Sequence, residues 1–245
     1  MSDLPPLKQI PSPNFSERAG SRIDLIVVHD TEGGYESAVS WFANRHSQVS
    51  AHIVLKEDGS EATQMVAFAK KAWHACDYNS RSIGVEMAGF AKAGYGDAEW
   101  TVAAAIIACL LHKYQIPAVW ARHGEGAGFC SHYDLGAAGG GHNDPTTDGA
   151  VWAGFVSRVQ DIFATGSLPE WGQHEAAPVP PEPVTAQSIA GAYPVDSVRW
   201  IQQRVGVIVD GVAGPATVAA IKAFQAAHGL NADGIVGPKT LSALG

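Results

Sequence analysis

The sequence has few cysteines, no long hydrophobic run and no excess of positive charge. Its three cysteines are too few, and odd in number, for a disulfide-stabilised scaffold, so we expect a chain made in a reducing cytoplasm. No apolar run approaches the roughly 20 residues that a membrane-spanning helix needs. Lysine and arginine number 16 against 24 acidic residues, which gives a net charge of −8. That balance argues against a nucleic-acid-binding protein, which needs basic side chains to neutralise phosphates.

The N-terminal segment also lacks a basic stretch followed by an apolar one, so we expect no secretory signal peptide. Apolar residues are plentiful, at 46% against 16% charged residues, and this composition indicates a folded chain. A length of 245 residues suggests one or two domains. The proline-dense stretch at 166–192 predicts a semi-rigid linker between a first domain at 1–165 and a second at 193–245.

The second predicted domain contains an internal repeat. The sequence Asp-Gly-Val-Ala-Gly-Pro-Ala-Thr at 210–217 recurs 23 positions later as Asp-Gly-Ile-Val-Gly-Pro-Lys-Thr at 233–240. Each copy combines an Asp-Gly turn with a proline placed to start a helix. Helical spacing of Val198, Ile201 and Val205 predicts a further helix before them, and so a bundle of about three helices. The repeat resembles peptidoglycan-binding domains, and the resemblance covers about residues 195–245.

The first predicted domain is expected to be a mixed α/β fold with a central sheet flanked by helices. Apolar patterns predict strands at 23–29, 50–55, 61–66, 82–87 and 119–122. Helical patterns lie at 35–43, 100–114 and 151–163. The glycine-rich stretch at 123–148 predicts a long functional loop.

The ten histidines raise the question of a metal site. Imidazole and carboxylate ligands suit zinc, and a catalytic zinc has three protein ligands plus a water molecule. His29 lies at the end of an apolar strand, whereas His132, His142 and Asp144 lie in the predicted loop. Spacing alone leaves open whether His142 or Asp144 would be the third ligand.

Short motifs follow one another over about residues 20–160 of the first predicted domain. They are Val-Val-His-Asp-Thr at 27–31, Ser-Ala-His-Ile-Val at 50–54, Ala-Trp-His-Ala at 72–75, Asn-Ser-Arg-Ser-Ile-Gly-Val-Glu at 79–86, and His132 with Asp144-Pro145. In this order they resemble the type 2 N-acetylmuramoyl-L-alanine amidases. That family includes phage lysins and bacterial wall-recycling amidases and is related to the peptidoglycan recognition proteins.

The resemblance implies a zinc site with a general base beside it. His29, His132 and Asp144 match the family's zinc ligands. Glu86 matches the acidic residue taken as general base; a purely structural role would bury its charge in an apolar strand at considerable cost. His142 stands where many relatives have a lysine that stabilises the oxyanion. A neutral histidine there would donate an N–H in place of a full positive charge.

Three further motif residues are candidates for substrate binding: His74, Trp73 and Asn79. For Trp73 the alternative is a place in the core. His52 is either a hydrogen-bonded core histidine or a residue that supports the site from behind. Cys76 and Cys109 are expected to be core residues, and Cys130 is expected to be a buried or idle thiol, with a metal ligand as the alternative.

A chain with this resemblance is expected to use zinc to hydrolyse the amide bond between N-acetylmuramic acid and L-alanine in bacterial peptidoglycan. The expected absence of a signal peptide, with a wall-binding domain, indicates a phage endolysin that is held in the host cytoplasm and acts on the cell wall after release. The alternatives are a non-catalytic peptidoglycan-recognition protein and a bacterial autolysin or wall-recycling amidase. We expect peptidoglycan as the binding partner, no nucleic acid, no membrane insertion, and a monomer.

Overall fold

The computed structural model describes residues 4–168, 195–209, 214–236 and 238–244. The predicted linker at 166–192 lies outside these ranges except for its first three residues, and so does the predicted boundary at 193. The strands of the described part are β1 (Lys8–Gln9), β2 (Phe15–Glu17), β3 (Leu25–Asp30), β4 (Ile53–Leu55), β5 (Ala62–Gln64), β6 (Lys70–Ala72), β7 (Ser82–Met87) and β8 (Gly128–Ser131). Its α-helices are α1 (Tyr35–Ala43), α2 (Asp97–Lys113), α3 (Gly149–Thr165), α4 (Val195–Val205), α5 (Pro215–Ala227) and α6 (Pro238–Leu244).

A mixed six-stranded sheet forms the centre of the first domain. Its strand order is β1-β5-β4-β7-β3-β8, and β4, β7, β3 and β8 run parallel. The antiparallel pair β2 and β6 forms a separate small sheet. Together with the flanking helices, this arrangement confirms the predicted α/β class.

The central strand β3 has a continuous apolar sequence because both of its faces are covered. Ile26 and Val28 belong to the core that α2 and α3 form on one face. Leu25 and Val27 face a second cluster on the other side, together with Cys130. His29 therefore lies on the face opposite α2, since successive strand residues alternate between faces.

The long helices have clear boundary signals. The Asp148 side chain caps α3 by accepting the backbone N–H groups of Ala150 and Val151. Gly166 ends the same helix with φ 68°, in the left-handed region that favours glycine. The helix α2 is buried along most of its length, as its apolar sequence predicted. Within the described residues, no helix is both long enough and apolar enough to cross a membrane.

One sequence prediction about the sheet is wrong. Residues 119–122 do not form a strand: Trp120 makes only an isolated bridge to Phe129, and Arg122–Gly124 is a short 3₁₀ helix. The eighth strand is Gly128–Ser131, inside the stretch that was predicted to be loop. Its four residues are too few for a readable pattern, and pairing with β3 determines their conformation.

The C-terminal domain consists of helices, as predicted, and its repeat is visible as a repeated contact. The Gln202 side chain in α4 donates to the hydroxyl of Thr217 at 3.0 Å. In the second copy, 23 positions later, Gln225 donates to Thr240 at 3.1 Å. Each copy therefore links one helix to the start of the next through a buried glutamine.

Candidate active site

Three parallel strands end at one edge of the sheet, and each brings a polar side chain there. His29 of β3 pairs in register with Glu86 of β7. His132 directly follows β8, and its backbone N–H donates to the Val28 carbonyl at 2.9 Å. Sites in open α/β sheets commonly lie outside the carboxyl ends of the strands. The sheet thus brings together histidines that are 103 positions apart in the chain.

The side chains of His29, His132 and Asp144 converge at this edge. The Nδ1 atoms of the two histidines are 2.9 Å apart. Asp144 Oδ1 lies 3.1 Å from His132 Nδ1, and Asp144 Oδ2 lies 3.5 Å from His29 Nδ1. All three residues are buried, and their possible ligand atoms lie within 4.8 Å of one another. This group is therefore close enough to hold a metal ion.

The donor set fits a zinc ion. Ligands about 2.05 Å from a tetrahedral ion lie about 3.3 Å apart, close to the separations of 2.9 to 3.5 Å here. His132 Nε2 lies 2.8 Å from the Gly139 carbonyl and donates to it, which leaves the Nδ1 lone pair facing the other two ligands. Two nitrogens and one carboxylate leave a fourth position open, as in catalytic zinc sites.

Burial and mutual contact determine the charges of these side chains. Burial, and then the neighbouring His132, lowers the pKa of His29 to about 4, so its ring is neutral near pH 7. Burial opposes ionisation of Asp144, but its close contacts with His132 and His29 outweigh burial and hold the Asp144 pKa far below its usual range. A neutral imidazole and an ionised carboxylate are the forms that bind a metal.

Glu86 lines the same cleft with an unpaired carboxylate oxygen. The residue is 6% exposed, and its Oε2 atom has no hydrogen-bond partner among the residues that the structure describes. Burial, and then the negative charges of Asp144 and Asp30, raises the pKa of Glu86 well above its usual range. A carboxyl group with a raised pKa can take up and release a proton near neutrality. This behaviour suits a general base that later acts as an acid.

His142 lies at the rim of the cleft, with 57% of its side chain exposed. Its ring stacks on that of His132 with centroids 4.2 Å apart, and its Nδ1 atom lies 3.7 Å from Asp144 Oδ1. Burial of its inner part, and then His132, lowers the pKa of His142. A neutral imidazole at the rim can offer an N–H to a substrate oxygen.

These side chains line a cleft of about 850 Å³, and so do His74, Trp73 and Asn79. The Asn79 Oδ1 atom accepts the backbone N–H groups of His74 and Ala75, at 2.9 and 2.6 Å. Trp73 is partly buried, and its indole nitrogen donates to Ser16 Oγ at 3.0 Å. The proposed contacts of these three residues with substrate stay a prediction.

The remaining motif residues divide between core and cleft. His52 is fully buried, and its Nδ1 atom accepts the Gly84 N–H at 3.0 Å. Cys109 and Cys130 are buried, as predicted. Cys76 is exposed and lines the cleft, so its predicted burial is wrong. It begins the short 3₁₀ helix Cys76–Tyr78, in which no residue is buried.

Two residues near the site were not identified from the sequence. The Asp30 backbone N–H donates to Asp144 Oδ2 at 3.2 Å, and the Tyr95 hydroxyl donates to the Asp30 carboxylate. Burial raises the pKa of Asp30 to about 7. Asp30 follows His29 in a recognisable motif, but Tyr95 is 65 positions away in a loop, and no local pattern connects them.

Comparison with known families finds two matches along the chain. Residues 19–147, just over half of the chain, match the sequence profile of the N-acetylmuramoyl-L-alanine amidase family. Residues 196–244 match the profile of a peptidoglycan binding domain. The two matches lie on either side of the predicted linker.

Individual relatives agree with the first match. The N-acetylmuramoyl-L-alanine amidase A of Achromobacter lyticus is 39% identical over 75 residues, which cover 31% of this chain and 42% of that protein. The 1,6-anhydro-N-acetylmuramyl-L-alanine amidase AmpD of Escherichia coli (strain K12) is 32% identical over 134 residues, covering 44% of this chain and 73% of that protein. The chain thus spans less than half of one relative's length and nearly three quarters of the other's.

Solved structures share the fold. A selenomethionine derivative of AmpD superposes with a TM-score of 0.50 at 27% identity, covering 62% of this chain and 93% of that one. The hydrolase AmiA of Staphylococcus aureus superposes with a TM-score of 0.54 at 19% identity, covering 70% and 90%.

Proposed function

Because the chain belongs to the N-acetylmuramoyl-L-alanine amidase family, we propose that it hydrolyses the amide bond between N-acetylmuramic acid and L-alanine in peptidoglycan. A zinc ion held by His29, His132 and Asp144 is part of the proposal. The observation that carries it is the unpaired, buried Glu86 carboxylate beside a converging set of metal ligands. Leaving a carboxylate oxygen buried and unpaired costs stability, and a reaction that uses the group explains why it is there.

In this proposal Glu86 moves the proton. Its carboxylate accepts a proton from the attacking water and then gives it to the L-alanine nitrogen as the C–N bond breaks. A zinc ion, when bound, supplies Lewis-acid polarisation of the amide carbonyl and lowers the pKa of the attacking water. The net result is one new carboxylate on the lactyl group and one free amine on the peptide.

His142 stabilises the oxygen of the amide that is cleaved. The ring is at the cleft rim and is held by stacking on His132. One of its nitrogens donates to the oxygen that gains negative charge when the carbonyl carbon becomes tetrahedral. Removing such a donor commonly lowers kcat by about 10² to 10³-fold.

The experiment that tests the activity is digestion of purified peptidoglycan, with and without a zinc chelator. New free L-alanine amino groups and new reducing ends are assayed separately. We expect L-alanine amino groups that disappear with chelator and return with added zinc. New reducing ends without new amino groups would mean that the glycan is cleaved and would contradict the proposed amide hydrolysis. No new ends, with protein that still sediments with the wall, would indicate a non-catalytic recognition protein.

We also propose that the intact wall is the working substrate, and that the chain acts as a monomeric phage endolysin held in the host cytoplasm until release. The support is the second family match, since a wall-binding domain raises the local concentration of the catalytic domain on an insoluble polymer. A recycling amidase that acts on soluble fragments gains little from such tethering. Comparing rates on intact sacculi and on soluble 1,6-anhydro-muropeptides decides between them.

The biological setting has its own test. Expression of the chain inside bacteria is expected to leave cells intact until the membrane is permeabilised, and then to lyse them. Lysis without permeabilisation, or no lysis after it, would contradict the endolysin role. Light scattering at working concentration checks the monomer.

A further inference from the structure

We infer that His74 is a positioning residue: it fixes the tautomer of His29, so that His29 Nδ1 presents its lone pair to the metal. This inference rests on the proposed zinc site. It differs from a substrate-contact role for His74, because both of its ring nitrogens are already engaged within the protein. The evidence is a continuous series of contacts from a backbone carbonyl to His29.

The series consists of three contacts. Ser82 Oγ lies 2.8 Å from the Tyr78 carbonyl oxygen. His74 Nε2 lies 3.1 Å from Ser82 Oγ, and His74 Nδ1 lies 2.9 Å from His29 Nε2. Each distance is that of a hydrogen bond, and none of these contacts joins two proposed zinc ligands, so each needs one hydrogen between its two atoms. The 2.9 Å contact between the Nδ1 atoms of His29 and His132 is of a different kind, because both atoms are proposed zinc ligands.

The Tyr78 carbonyl determines where those hydrogens are, because a carbonyl oxygen only accepts. The Ser82 hydroxyl therefore donates to it, and Ser82 Oγ accepts the Nε2–H of His74. A neutral His74 then has its lone pair on Nδ1 and accepts from His29 Nε2. The Nδ1 atom of His29 is left with a free lone pair. If the Ser82 hydroxyl donated to His74 Nε2 instead, Ser82 Oγ and the Tyr78 carbonyl oxygen would lie 2.8 Å apart with no hydrogen between them.

The proposed zinc site requires both rings to be neutral. His74 is enclosed by the rings of His29 and His52, with centroids 5.0 and 5.7 Å away. An imidazole that binds a metal through Nδ1 is neutral and carries its one hydrogen on Nε2. His74 Nδ1, 2.9 Å from His29 Nε2, then has to accept that hydrogen and carries none of its own.

The strand β7 provides the space that holds His74 in this orientation. Ser82, Gly84 and Glu86 alternate onto the face that His29 also occupies. A side-chain carbon at Gly84 would lie 2.7 Å from His74 Cγ and Nδ1. The imidazole ring thus lies directly against the backbone of Gly84, between Ser82 and His29.

The other ligand histidine is held in an analogous way. His132 Nε2 donates to the Gly139 carbonyl at 2.8 Å, which also leaves Nδ1 for the metal. Histidines that bind metals generally donate their second ring N–H to such an acceptor, and removing the acceptor costs about 10 to 100-fold in metal affinity or activity. For His29, the acceptor in this structure is the His74 imidazole.

The test measures zinc affinity of the full chain by competition with a fluorescent chelator. His74→Phe keeps a planar ring but removes the acceptor, and we expect affinity to fall about 10 to 100-fold. His74→Asn can place its Oδ1 atom where Nδ1 was, so we expect a loss of less than about 5-fold, since the acceptor remains. Ser82→Ala removes the contact that orients His74, and an intermediate loss is expected.

The matched control for Ser82 is Ser47→Ala. Ser47 is also buried, and its hydroxyl also donates to a backbone carbonyl, that of Asn44 at 2.9 Å, but it does not line the cleft. Its zinc affinity should equal that of the wild type. Equal zinc affinity in His74→Phe and the wild type would overturn the inference about His74 but leave the proposed zinc site intact. A wild-type chain that binds no zinc would overturn the zinc site itself.

A second measurement needs no variant. Long-range ¹⁵N NMR spectra of the zinc-loaded full chain distinguish the two neutral tautomers of His74. We expect hydrogen on Nε2 of His74. Hydrogen on Nδ1 of His74 would contradict the inference even if His74→Phe failed to fold. With the zinc-loaded enzyme, His74→Asn should keep the wild-type KM, whereas a substrate-contact role predicts a raised KM.

Discussion

At the scale of single residues, the site depends on a few side chains whose burial determines their protonation. His29 is neutral because burial lowers its pKa to about 4. Asp144 stays ionised because two histidines pair with it. Glu86 differs from both in having an oxygen atom without a partner and a raised pKa. The first two are suited to binding a cation, whereas Glu86 is suited to exchanging a proton.

Changing Glu86 to Gln tests that difference. Glutamine has nearly the same shape but cannot take up the proton of the attacking water, so we expect kcat to fall about 10² to 10⁴-fold. Zinc content, measured by elemental analysis, should stay at the wild-type level. Activity above about a tenth of wild type would remove Glu86 from the role of general base.

Changing His142 separates a positioned N–H from a positive charge. His142→Lys restores a donor and is expected to stay within about 10-fold of the wild-type kcat, because either group can stabilise an oxyanion. His142→Ala removes the donor, and kcat should fall about 10² to 10³-fold. Both variants should fold normally, since the side chain is 57% exposed. Equal rates in the alanine and lysine variants would contradict the role.

At the scale of elements, strand β7 has two functions on one face. Glu86 belongs to the cleft, and Gly84 and Ser82 hold the His74 ring two and four residues earlier. On its other face, Ile83 and Val85 belong to the main core. The period of two along a strand therefore lets one short segment serve the core and the site together.

The substitution Gly84→Ala tests this arrangement. The new carbon would lie 2.7 Å from the His74 ring, so we expect a loss of about 1 to 3 kcal/mol in unfolding free energy. Zinc affinity should fall as well. The control is Gly154→Ala in α3, which meets no atom within 4 Å and should stabilise the chain by about 0.5 to 1 kcal/mol. A stable Gly84→Ala variant with wild-type zinc affinity would contradict the prediction.

In the C-terminal repeat, the buried glutamines Gln202 and Gln225 each link one helix to the start of the next. Gln225 is 1% exposed; its side chain donates to the Ile235 carbonyl at 2.7 Å and accepts the Gly234 N–H at 2.8 Å. Gln225→Leu leaves these buried groups unpaired, at about 1 to 3 kcal/mol each. Hydrogen exchange of the α5 amides should become faster. The control is Gln203→Leu, an exposed change in α4, which should alter the free energy of unfolding by less than about 0.5 kcal/mol. Equal losses in Gln225→Leu and Gln203→Leu would contradict a stabilising role for the buried glutamine.

At the scale of the whole molecule, the amidase profile and the peptidoglycan-binding profile match different parts of the chain. The amidase match covers 19–147, and the peptidoglycan-binding match covers 196–244. Linking a catalytic domain to a binding domain raises its effective concentration on the polymer without changing the active site. The rate of hydrolysis of insoluble wall should therefore depend on the second domain more than the rate on soluble fragments does.

A chain that ends at residue 168 tests this division. On soluble muropeptides we expect its kcat/KM to stay within about 3-fold of the full chain, because every residue that lines the cleft is retained. On intact sacculi at low protein concentration the rate should fall about 10-fold or more, and excess protein should restore it. Circular dichroism checks that the shorter chain folds. An equal loss on both substrates would contradict a separate binding role.

Much of the fold and of the site could be predicted from the sequence. The helix at 35–43 and the strand at 82–87 have the same bounds in the structure, because each has a strong local pattern. Strand Gly128–Ser131 was missed, since four residues are too few to show a period and their conformation depends on pairing with β3. The exposure of Cys76 was missed because its apolar residue type favoured the core, whereas a short 3₁₀ helix brings it to the surface.

By itself, the sequence determined the family and the residue types of the site, because the ordered motifs retain the chemistry that the reaction needs. Only the tertiary structure decided which side chains meet. Spacing left His142 and Asp144 as alternatives, whereas the fold buries Asp144 against both histidines and leaves His142 at the rim. The tautomer of His29 depends on contacts with His74 and, through it, Ser82. Parallel pairing of distant strands creates these contacts, so no local pattern in the chain could reveal them.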